Sequence, residues 1–588
     1  MGRNLREMER RLKSEIELLC NCVRAIIQTQ VNNIQIRRIF MNEIDMSERE
    51  SAIKNANVML GFDGGTSNSL LSLIRKGEKC PKVVMNSFGK ATTPSVVCFD
   101  TDQKVVVGEA AKNQAIGAKL KRTVCAFKKD ILDDKQWQDG KWTGSYPEFN
   151  GEATDPMKAA ALVLRKMTWE SPEVARHAVD GKLCAVICVP AHASVAARAR
   201  FRQVAEMAKI TVIGVIEEPT AAALSYHVEN ACKGKTAVFD FGGGTLDVSI
   251  VSWTSAKTCD GKVEAFSGDP ALGGTDIDVA FSYHVYKRYC EQMNPSVVLS
   301  LDDFKARHLD ELDRQRTVMN FKRVAEEAKI AFTTVEDFDA VFDDGECVIP
   351  LTRQEFEEIA RPFVNRAVDV LVATLEKSGY APEAIDELVL AGGSSYMKIV
   401  RETIVTRLPA LKDKIVLHDP HAAIAVGAAV FAAQIAWGEG GDLEMKAGAS
   451  YGIKTVRGEN GSDVYHITNL IMVGDVLPKS VKEPFRTYRD DQRTVAIELY
   501  SNERADEEVE VSVCTEIVNP ESNLMDLGRA TKKGTAIQVS MELDKGGVLT
   551  LIAESEFGYY KRVAHITNSM SDEDVEKAKR QLAAGTVQ

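Results

Sequence analysis

The chain has 588 residues, enough for several domains, and its 45% hydrophobic and 27% charged residues are typical of a globular protein. Its net charge of −12 argues against a nucleic acid or an anionic membrane as the main partner, and no apolar stretch is long enough to span a bilayer. The twelve cysteines include no CxxC pair and no spacing typical of a metal site, which favours reduced thiols in the cytoplasm.

Residues 1–57 are predicted to form a helical extension, because apolar residues recur at third and fourth positions between Leu12 and Ile26. The extension can be a docking helix, a short coiled coil or an accessory tail, and translation can also begin at Met46. Two heptads are too few to establish a coiled coil, so an accessory tail is the preferred interpretation.

Residues 58–439 alternate between strands and helices, which is typical of an α/β domain. Strands are predicted at Ala185–Val189, Val212–Ile216, Ala237–Asp240, Val248–Val251 and Glu387–Leu390. Helices are predicted at Pro156–Met167, Val195–Lys209, Arg314–Phe332, Arg353–Ser378 and Ala422–Trp437.

The chain changes character after Trp437. Glycines end the helical pattern there, and residues 440–447 are predicted as a linker. Residues 448–568 show short alternating strands separated by turns, which predicts a β-sandwich, and residues 569–588 are predicted to contain a short final helix. The strands are predicted at Ser462–Leu470, Gln492–Tyr500, Glu507–Glu516, Ala536–Leu543, Val548–Glu554 and Arg562–Asn568.

The most informative stretch is Thr236–Val251, which predicts a strand, a glycine turn and a second strand. Its turn consists of Gly242, Gly243, Gly244 and Thr245. Successive backbone N–H groups in such a turn form a concave nest suited to phosphate. Asp240 and Asp247 flank the turn and would repel a phosphate unless a cation lay between them, so the pattern implies Mg²⁺ held through water.

A second copy of this pattern lies in Val58–Leu73, where Asp63 is followed by Gly64-Gly-Thr66. A duplicated hairpin at domain-scale spacing predicts two similar lobes with facing phosphate turns. Neither copy is a P-loop, because no Gly-Lys-Ser/Thr follows, and neither opens a helix as a dinucleotide fingerprint does.

Several further motifs follow in a fixed order. They are Cys188-Val-Pro-Ala191, Glu217-Glu-Pro-Thr-Ala-Ala-Ala223, Asp240-Phe-Gly-Gly-Gly-Thr-Leu-Asp-Val248, Leu272-Gly-Gly-Thr-Asp276, Leu390-Ala-Gly-Gly-Ser394 and Val426-Gly-Ala-Ala429. In this order, from about Val58 to Ala584, the chain resembles the heat-shock protein 70 chaperones. The resemblance implies a two-lobed actin-like ATPase domain with a duplicated core, followed by a β-sandwich that binds extended peptide.

The resemblance also implies ATP and Mg²⁺ as cofactors, with K⁺ as an additional ion. Catalytic roles would fall to Lys128, Glu218, Asp240 and Thr245. Phosphate contacts would come from Asp63, Gly65, Thr66, Ser67, Gly242, Gly243, Gly244 and Thr245, and Mg²⁺ contacts through water from Asp63, Asp240 and Asp247. Lys128 would stabilise charge on the transferring phosphoryl group, and Glu218 would polarise the attacking water.

Further nucleotide contacts are implied at Gly273, Gly274, Glu326, Lys329, Thr333, Gly392, Gly393, Ser394 and Tyr396. The spacing i, i+3, i+7 predicts that Glu326, Lys329 and Thr333 share one face of a helix. Without the motif order, Glu326 and Lys329 would be interpreted as a surface ion pair.

The resemblance implies partners as well: unfolded or nascent polypeptide, a J-domain co-chaperone and a nucleotide-exchange factor. Pro190, Arg198 and Pro219 match the positions that couple nucleotide state to lobe rotation in the family. A peptide would lie as an added strand near Ile471–Val476 and Thr494–Tyr500.

The sequence departs from the family at several positions. Ile330 and Tyr396 stand where two arginines usually stack on adenine, and Thr275 and His421 replace acids. His192-Ala-Ser194 replaces a turn that usually contains an aromatic residue, and the segment Lys129–Asp155 is short. Weaker nucleotide binding or faster exchange is therefore expected.

The linker offers only Leu443 and Met445 as apolar anchors, and residues 569–588 are predicted as no more than the start of a lid helix. Weak coupling and loose peptide binding are expected of such a divergent, lidless member. The preferred interpretation is a slow ATPase that assists protein folding. The alternatives are an ATP-binding scaffold or regulatory co-chaperone of the ribosome-associated type, and a sugar kinase on the same fold, against which the β-sandwich argues.

Overall fold

The computed structural model describes residues 52–588 except 102–103, 115–118, 139–140, 150, 297, 307–308, 310, 419–420, 460–461, 518–522, 546, 557, 566–571, 585 and 588. The helix predicted between Leu12 and Ile26 lies outside the described residues. Among the helices that are described, none combines the length and the hydropathy of a bilayer-spanning segment.

The first lobe is built on a mixed sheet. Its strand order is Ile210–Glu217, Leu183–Val189, Val58–Gly64, Asn68–Arg75 and Lys82–Val83, and Thr93–Pro94 also pairs with Asn68–Arg75. The strands up to Val58–Gly64 run parallel, and Val58–Gly64 then forms an antiparallel hairpin with Asn68–Arg75.

The second lobe repeats this arrangement. Its strand order is Ile415–Leu417, Glu387–Ala391, Gly234–Phe241, Leu246–Trp253, Gly261–Asp269, Leu443–Lys446 and Val476–Leu477. The strands up to Gly234–Phe241 are again parallel, and the glycine hairpin again follows. The predicted α/β fold with a duplicated core is confirmed.

Two alanine-rich helices, Glu218–Asn230 and Ala423–Trp437, lie between the lobe sheets. A Cβ atom at Gly427 would lie 1.7 Å from the Ala221 carbonyl oxygen, so only glycine permits this approach. A Cβ atom at Gly61 would likewise lie 2.3 Å from the Ala425 carbonyl oxygen, which brings the first hairpin directly against a helix.

Outer helices complete the two lobe cores. The long ones are Pro156–Thr168 and Val195–Met207 in the first lobe and Gly274–Met293, Leu312–Ala331 and Arg353–Ser378 in the second. The shorter ones are Glu109–Gln114, Phe127–Leu132, Pro172–Ala175, Leu301–Lys305 and Lys398–Arg407. Small sheets pair Val96–Thr101 with Lys104–Val107 and Thr123–Cys125, Trp137–Gln138 with Lys141–Trp142, Glu148–Phe149 with Glu152–Ala153, and Asp337–Phe342 with Cys347–Thr352.

The predicted linker is not an irregular connection. Leu443–Lys446 is a strand that pairs in parallel with Gly261–Asp269 of the second lobe and in antiparallel with Val476–Leu477. Leu443 and Met445 are buried. Backbone pairing therefore adds to the burial of the two predicted apolar anchors, and the expected weak coupling stays a prediction.

The predicted β-sandwich has two main sheets and a separate two-stranded sheet. One sheet has the order Glu508–Glu510, Ser462–Ile471, Ser450–Glu459, Leu499–Asn502 and Thr515–Ile517. The other has the order Lys479–Arg486, Ala536–Leu543, Val548–Glu554 and Tyr559–His565, and Gln492–Ala496 pairs separately with Leu524–Thr531.

Two strands predicted in the sandwich are not continuous in the structure, so these two predictions are wrong. Gln492–Tyr500 is interrupted, because Gln492–Ala496 pairs with Leu524–Thr531 whereas Leu499–Asn502 joins the five-stranded sheet. The predicted strand Glu507–Glu516 contains a 3₁₀ turn at Val511–Val513. Alternating residues predicted both segments, but pairing with different partners divides the first and the turn divides the second.

The final helix, Asp572–Ala584, packs on the first lobe. Val575, Ala578 and Leu582 belong to the core of that lobe, and Arg165 donates to the Leu582 carbonyl oxygen at 2.9 Å. The strand Thr586–Val587 then pairs with Lys104–Val107. The segment predicted as the start of a lid therefore contributes to the core of the first lobe.

Candidate functional site

The glycine turns of the two hairpins face each other. A Cβ atom at Gly244 would lie 2.2 Å from Thr66 Oγ1, and one at Gly243 would lie 2.7 Å from Ser67 Oγ. Thr66 and Thr245 are buried within the two turns. Glycine lets the two turns approach this closely, and turns of this kind are suited to phosphate.

Three carboxylates lie at the bases of these hairpins, and all are buried: Asp63, Asp240 and Asp247. Burial, and then the neighbouring Glu218 carboxylate, raises the pKa of Asp63 to about 7 against the opposing effect of Lys128. Burial and the surrounding carboxylates likewise raise the pKa of Asp240 well above its ordinary value. Concentrated negative charge of this kind is stabilised by a cation.

Lys128 and Glu218 form a buried ion pair, with 2.6 Å between Lys128 Nζ and Glu218 Oε1. Lys128 lies on the helix Phe127–Leu132, and Glu218 begins the helix Glu218–Asn230. Burial lowers the pKa of the Lys128 ammonium, but the carboxylates of Glu218 and Asp63 outweigh it and raise the pKa above its ordinary value. Lys128 is therefore a fixed positive charge beside the hairpins.

Loops of the second lobe close around the second glycine turn. The N–H groups of Gly274 and Thr275 donate to the carbonyl oxygens of Gly242 and Gly243 at 3.0 and 2.7 Å, and Ser394 Oγ donates to the Gly242 oxygen at 2.9 Å. Two predicted glycines make close backbone packing possible. A Cβ atom at Gly273 would lie 2.5 Å from the Gly244 carbonyl carbon, and one at Gly392 (φ 77°) would lie 2.5 Å from Asp240 Oδ1.

The predicted face of Glu326, Lys329 and Thr333 is only partly correct. Glu326 and Lys329 lie on the helix Leu312–Ala331, but this helix ends before Thr333, whose hydroxyl donates to the Ile330 carbonyl oxygen at 2.7 Å. The helix predicted at Arg314–Phe332 ends within one residue of the observed helix, so Thr333 lies beyond it and not on its face. Lys329 Nζ lies 2.7 Å from Asp278 Oδ2.

Tyr396 and Ile330 are exposed at the rim of this group, with 40% and 59% of their surface accessible. The Tyr396 ring lies 6.0 Å from the ring of His421, and exposed Gly393 lies against the same imidazole. An exposed aromatic ring next to a polar cleft can stack on a planar base.

Buried polar atoms without protein partners test whether this cleft fits a phosphate and a metal ion. Among the described residues, Asp240 Oδ1, Asp247 Oδ2, Asp278 Oδ1 and Thr275 Oγ1 are buried and have no hydrogen-bond partner. Buried oxygens of this kind require a donor, a water or a cation. The part of the chain that is described holds no group of three side chains placed to bind a metal directly. The unpartnered carboxylate oxygens fit a cation or the waters around it.

The sequence did not identify three residues that the structure places here. Asp278 is buried beside Lys329, and burial raises the pKa of its carboxyl to about 6. Lys129 Nζ of the first lobe lies 3.2 Å from Asp276 Oδ2 of the second. Asp276 ends the motif Leu272–Asp276 and Asp278 lies two residues further on, so their position in the sequence was a signal. No sequence signal indicated the contact with Lys129 across the cleft.

Of the three predicted coupling residues, Arg198 lies between the first lobe and the start of the sandwich. Arg198 Nη1 lies 2.9 Å from Glu217 Oε1, and a Cβ atom at Gly448 would lie 3.2 Å from Arg198 Nη2. Pro190 follows the strand Leu183–Val189, and Pro219 lies in the first turn of Glu218–Asn230.

The two ends of the peptide segment predicted at Ile471–Val476 differ. Ile471 is fully buried, whereas the Val476 side chain is 41% exposed and its backbone pairs with Lys446 of the linker strand. This pairing occupies the backbone of Val476, and peptide binding at this segment stays a prediction.

One comparison with known proteins bears on this geometry. The family model described as "Hsp70 protein" matches residues 59–584. The matched region contains both hairpins, Lys128, Glu218 and the whole of the sandwich.

Proposed function

The chain belongs to the Hsp70 family of ATP-dependent chaperones, and we propose that it hydrolyses Mg-ATP slowly and assists folding by transient binding of unfolded polypeptide. The proposal includes an ATPase domain at residues 58–439, a linker at 440–447 and a substrate-binding domain at 448–568. It also includes a cytoplasmic location, K⁺ as an additional ion, and a J-domain co-chaperone and a nucleotide-exchange factor as partners.

The observation that carries the ATPase proposal is the Lys128–Glu218 pair beside two glycine turns and three buried carboxylates. The turns would hold the phosphates, with Gly65, Thr66 and Ser67 on one side and Gly242, Gly243, Gly244 and Thr245 on the other. Asp63, Asp240 and Asp247 would hold Mg²⁺ through its waters, and bound Mg²⁺ supplies charge neutralisation on the phosphates.

The residues of the chain would divide the work of hydrolysis. A water oxygen attacks the γ-phosphorus while the bond from that phosphorus to the bridging oxygen of ADP breaks. One proton of the water stays on the phosphate and the other passes to solvent, which leaves ADP and phosphate. Glu218 orients this water, and the fixed charge of Lys128 stabilises the charge that develops on the γ-oxygens. The 2.6 Å contact between the two side chains supports these roles, because each fixes the other's position.

The adenosine would lie against the second lobe. Gly273, Gly274, Glu326, Lys329, Thr333, Gly392, Gly393 and Ser394 would surround the sugar and base, and Tyr396 would stack on the base. Stacking on one exposed ring instead of two arginines supports weaker nucleotide binding.

An unfolded peptide would bind in the sandwich near Gln492–Ala496. This strand is half-buried to exposed, and the neighbouring Leu524 is 56% exposed. An extended peptide could pair with backbone there and place alternate side chains against this apolar surface.

Single-turnover ATP hydrolysis by the full chain tests the proposal, with and without an unfolded peptide and a J-domain protein. We expect Lys128→Ala to slow hydrolysis by about 100- to 1,000-fold and to retain ATP binding. Lys158→Ala is the matched control, because Lys158 is a buried lysine of the same lobe that lies 3.7 Å from Asp155. A wild-type chain no faster than Lys128→Ala would instead favour an ATP-binding scaffold.

A further inference from the structure

The carboxylate of Asp247 is held by two donors from one turn of the first lobe. Asp247 is fully buried, and its Oδ1 atom accepts from the Ala191 N–H at 2.7 Å. The same oxygen lies 3.1 Å from Nδ1 of His192, whose side chain is 14% exposed. A Cβ atom at Gly268 would lie 2.6 Å from this oxygen and 2.8 Å from His192 Nδ1, so the contact is tightly enclosed.

These contacts distinguish the two oxygens of Asp247. An ionised carboxylate only accepts hydrogen bonds, so the imidazole proton in this contact is on Nδ1. Oδ1 is therefore occupied by two donors, whereas Oδ2 is buried and has no partner among the described residues. The turn fixes the rotation of the carboxylate and leaves one oxygen available to a ligand.

We propose that His192 is a positioning residue for the metal site: its Nδ1–H holds Asp247 so that Oδ2 faces the hydrated Mg²⁺ of the bound nucleotide. This inference rests on the proposed nucleotide function of the cleft. Hydrogen bonds to a metal-binding carboxylate orient it and increase its affinity for the ion. His192 crosses from the first lobe to a carboxylate of the second, so the metal site depends on both lobes.

A purely structural role predicts a different result. If the His192–Asp247 contact only joined the lobes, its loss would lower stability and weaken nucleotide binding equally with and without metal. If His192 positions Asp247 for Mg²⁺, its loss would weaken only the metal-dependent part of nucleotide binding.

The test is the factor by which Mg²⁺ increases the affinity of the full chain for ADP, measured by calorimetry in Mg²⁺ and in chelator. His192→Phe, which keeps a ring but has no donor, is expected to reduce this factor by about 10- to 100-fold, with metal-free ADP affinity unchanged. His192→Asn is expected to retain the factor, because its amide nitrogen can take the place of Nδ1. His192→Leu makes the same test if the Phe variant does not fold.

His284→Leu is the matched control, because His284 is also half-buried and its Nε2 lies 3.8 Å from the Glu355 carboxylate, outside the cleft. A donor-less His192 variant that retains the wild-type factor, or an Asn variant that loses it as fully as the Phe variant, overturns the inference. A wild-type chain that binds ADP neither with nor without Mg²⁺ overturns the proposed function instead.

Discussion

The two lobes have the same hairpin but differ at the position opposite its aspartate. Both turns have the same length, since Gly64 pairs with Ser69 and Phe241 pairs with Leu246. One step further, Asp63 pairs with Leu70, whereas Asp240 pairs with Asp247. Cross-strand partners lie on one face of a sheet, so one lobe presents a single carboxylate and the other presents two.

The surroundings of the two positions explain the difference. Leu70 packs with Ala422, Ala425 and Val426 of the helix that lies between the sheets. Asp247 lies instead beside the donors of the Ala191–His192 turn. The first lobe contributes Lys128 and Glu218 from outside its hairpin, so the duplicated fold has divided its polar groups between the lobes.

Leu70→Asp gives the first hairpin the same pair of acids as the second. The new carboxylate has only apolar neighbours in the Leu70 cluster, and an uncompensated buried charge costs roughly 3–5 kcal/mol of unfolding free energy. Hydrogen exchange should show loss of protection in Val58–Gly64 and Ala423–Trp437. Leu70→Met, which conserves volume, should cost less than about 1.5 kcal/mol. Equal protection in both variants would contradict the comparison.

Asp247→Leu makes the reverse change. Single-turnover hydrolysis should slow by about 100-fold, or about 2.7 kcal/mol, because a carboxylate of the metal site is removed. The free energy of unfolding should also fall by roughly 1–3 kcal/mol, because the buried Ala191 N–H and His192 Nδ1 lose their acceptor. Hydrolysis at the wild-type rate would mean that the two hairpins do not differ in function.

Asp63 should make nucleotide binding depend on pH. Its folded-state pKa of about 7 lies above the unfolded value of 3.8, so its contribution to the stability of the metal-free chain is present below pH 3.8 and is lost as pH rises through 7. Mg-nucleotide binds the ionised form, so its stabilisation of the chain should grow from pH 6 to pH 8, by at most about 1.4 kcal/mol per pH unit. Thermal shift measures this, and Asp63→Asn should reduce the pH dependence but not abolish it, because the pKa of Asp240 in the same cleft is also raised.

Lys129→Ala should have the smallest effect. The Lys129–Asp276 pair crosses the cleft at 3.2 Å and is partly exposed, and pairs of this kind contribute about 0.5–1 kcal/mol. ADP release, followed with a fluorescent analogue, should accelerate by about two- to fivefold. Lys90→Ala breaks an exposed pair with Glu109 within one lobe and should leave release unchanged. Equal effects of the two changes would show that the contact does not restrain opening.

Local sequence patterns predicted the elements whose structure is determined within a short stretch of the chain. The duplicated Asp-Gly-Gly-Thr pattern predicted both hairpins, because a glycine turn between apolar strands is encoded within a short stretch. Motif order then indicated Lys128 and Glu218 individually. Their 2.6 Å contact joins residues that are 90 positions apart, and no local pattern encodes that.

Patterns failed where a distant partner determines the structure. Leu443–Lys446 is a strand because Gly261–Asp269 pairs with it, and its own composition resembles a linker. The strand predicted at Gln492–Tyr500 is divided because its two halves pair with different partners. Leu70 and Asp247 show the same limit. The sequence indicated both hairpins, but not that these two residues lie opposite the hairpin aspartates.

A double-mutant cycle across the cleft determines whether the two lobes supply one site. Single-turnover ATP hydrolysis is measured for Lys128→Ala in the first lobe, Asp247→Leu in the second, and the double variant. Residues that act as a unit give strongly non-additive effects, so the double variant should be about as slow as the slower single variant. Rate losses that multiply in the double variant would contradict the account, because they would mean that the two lobes act independently.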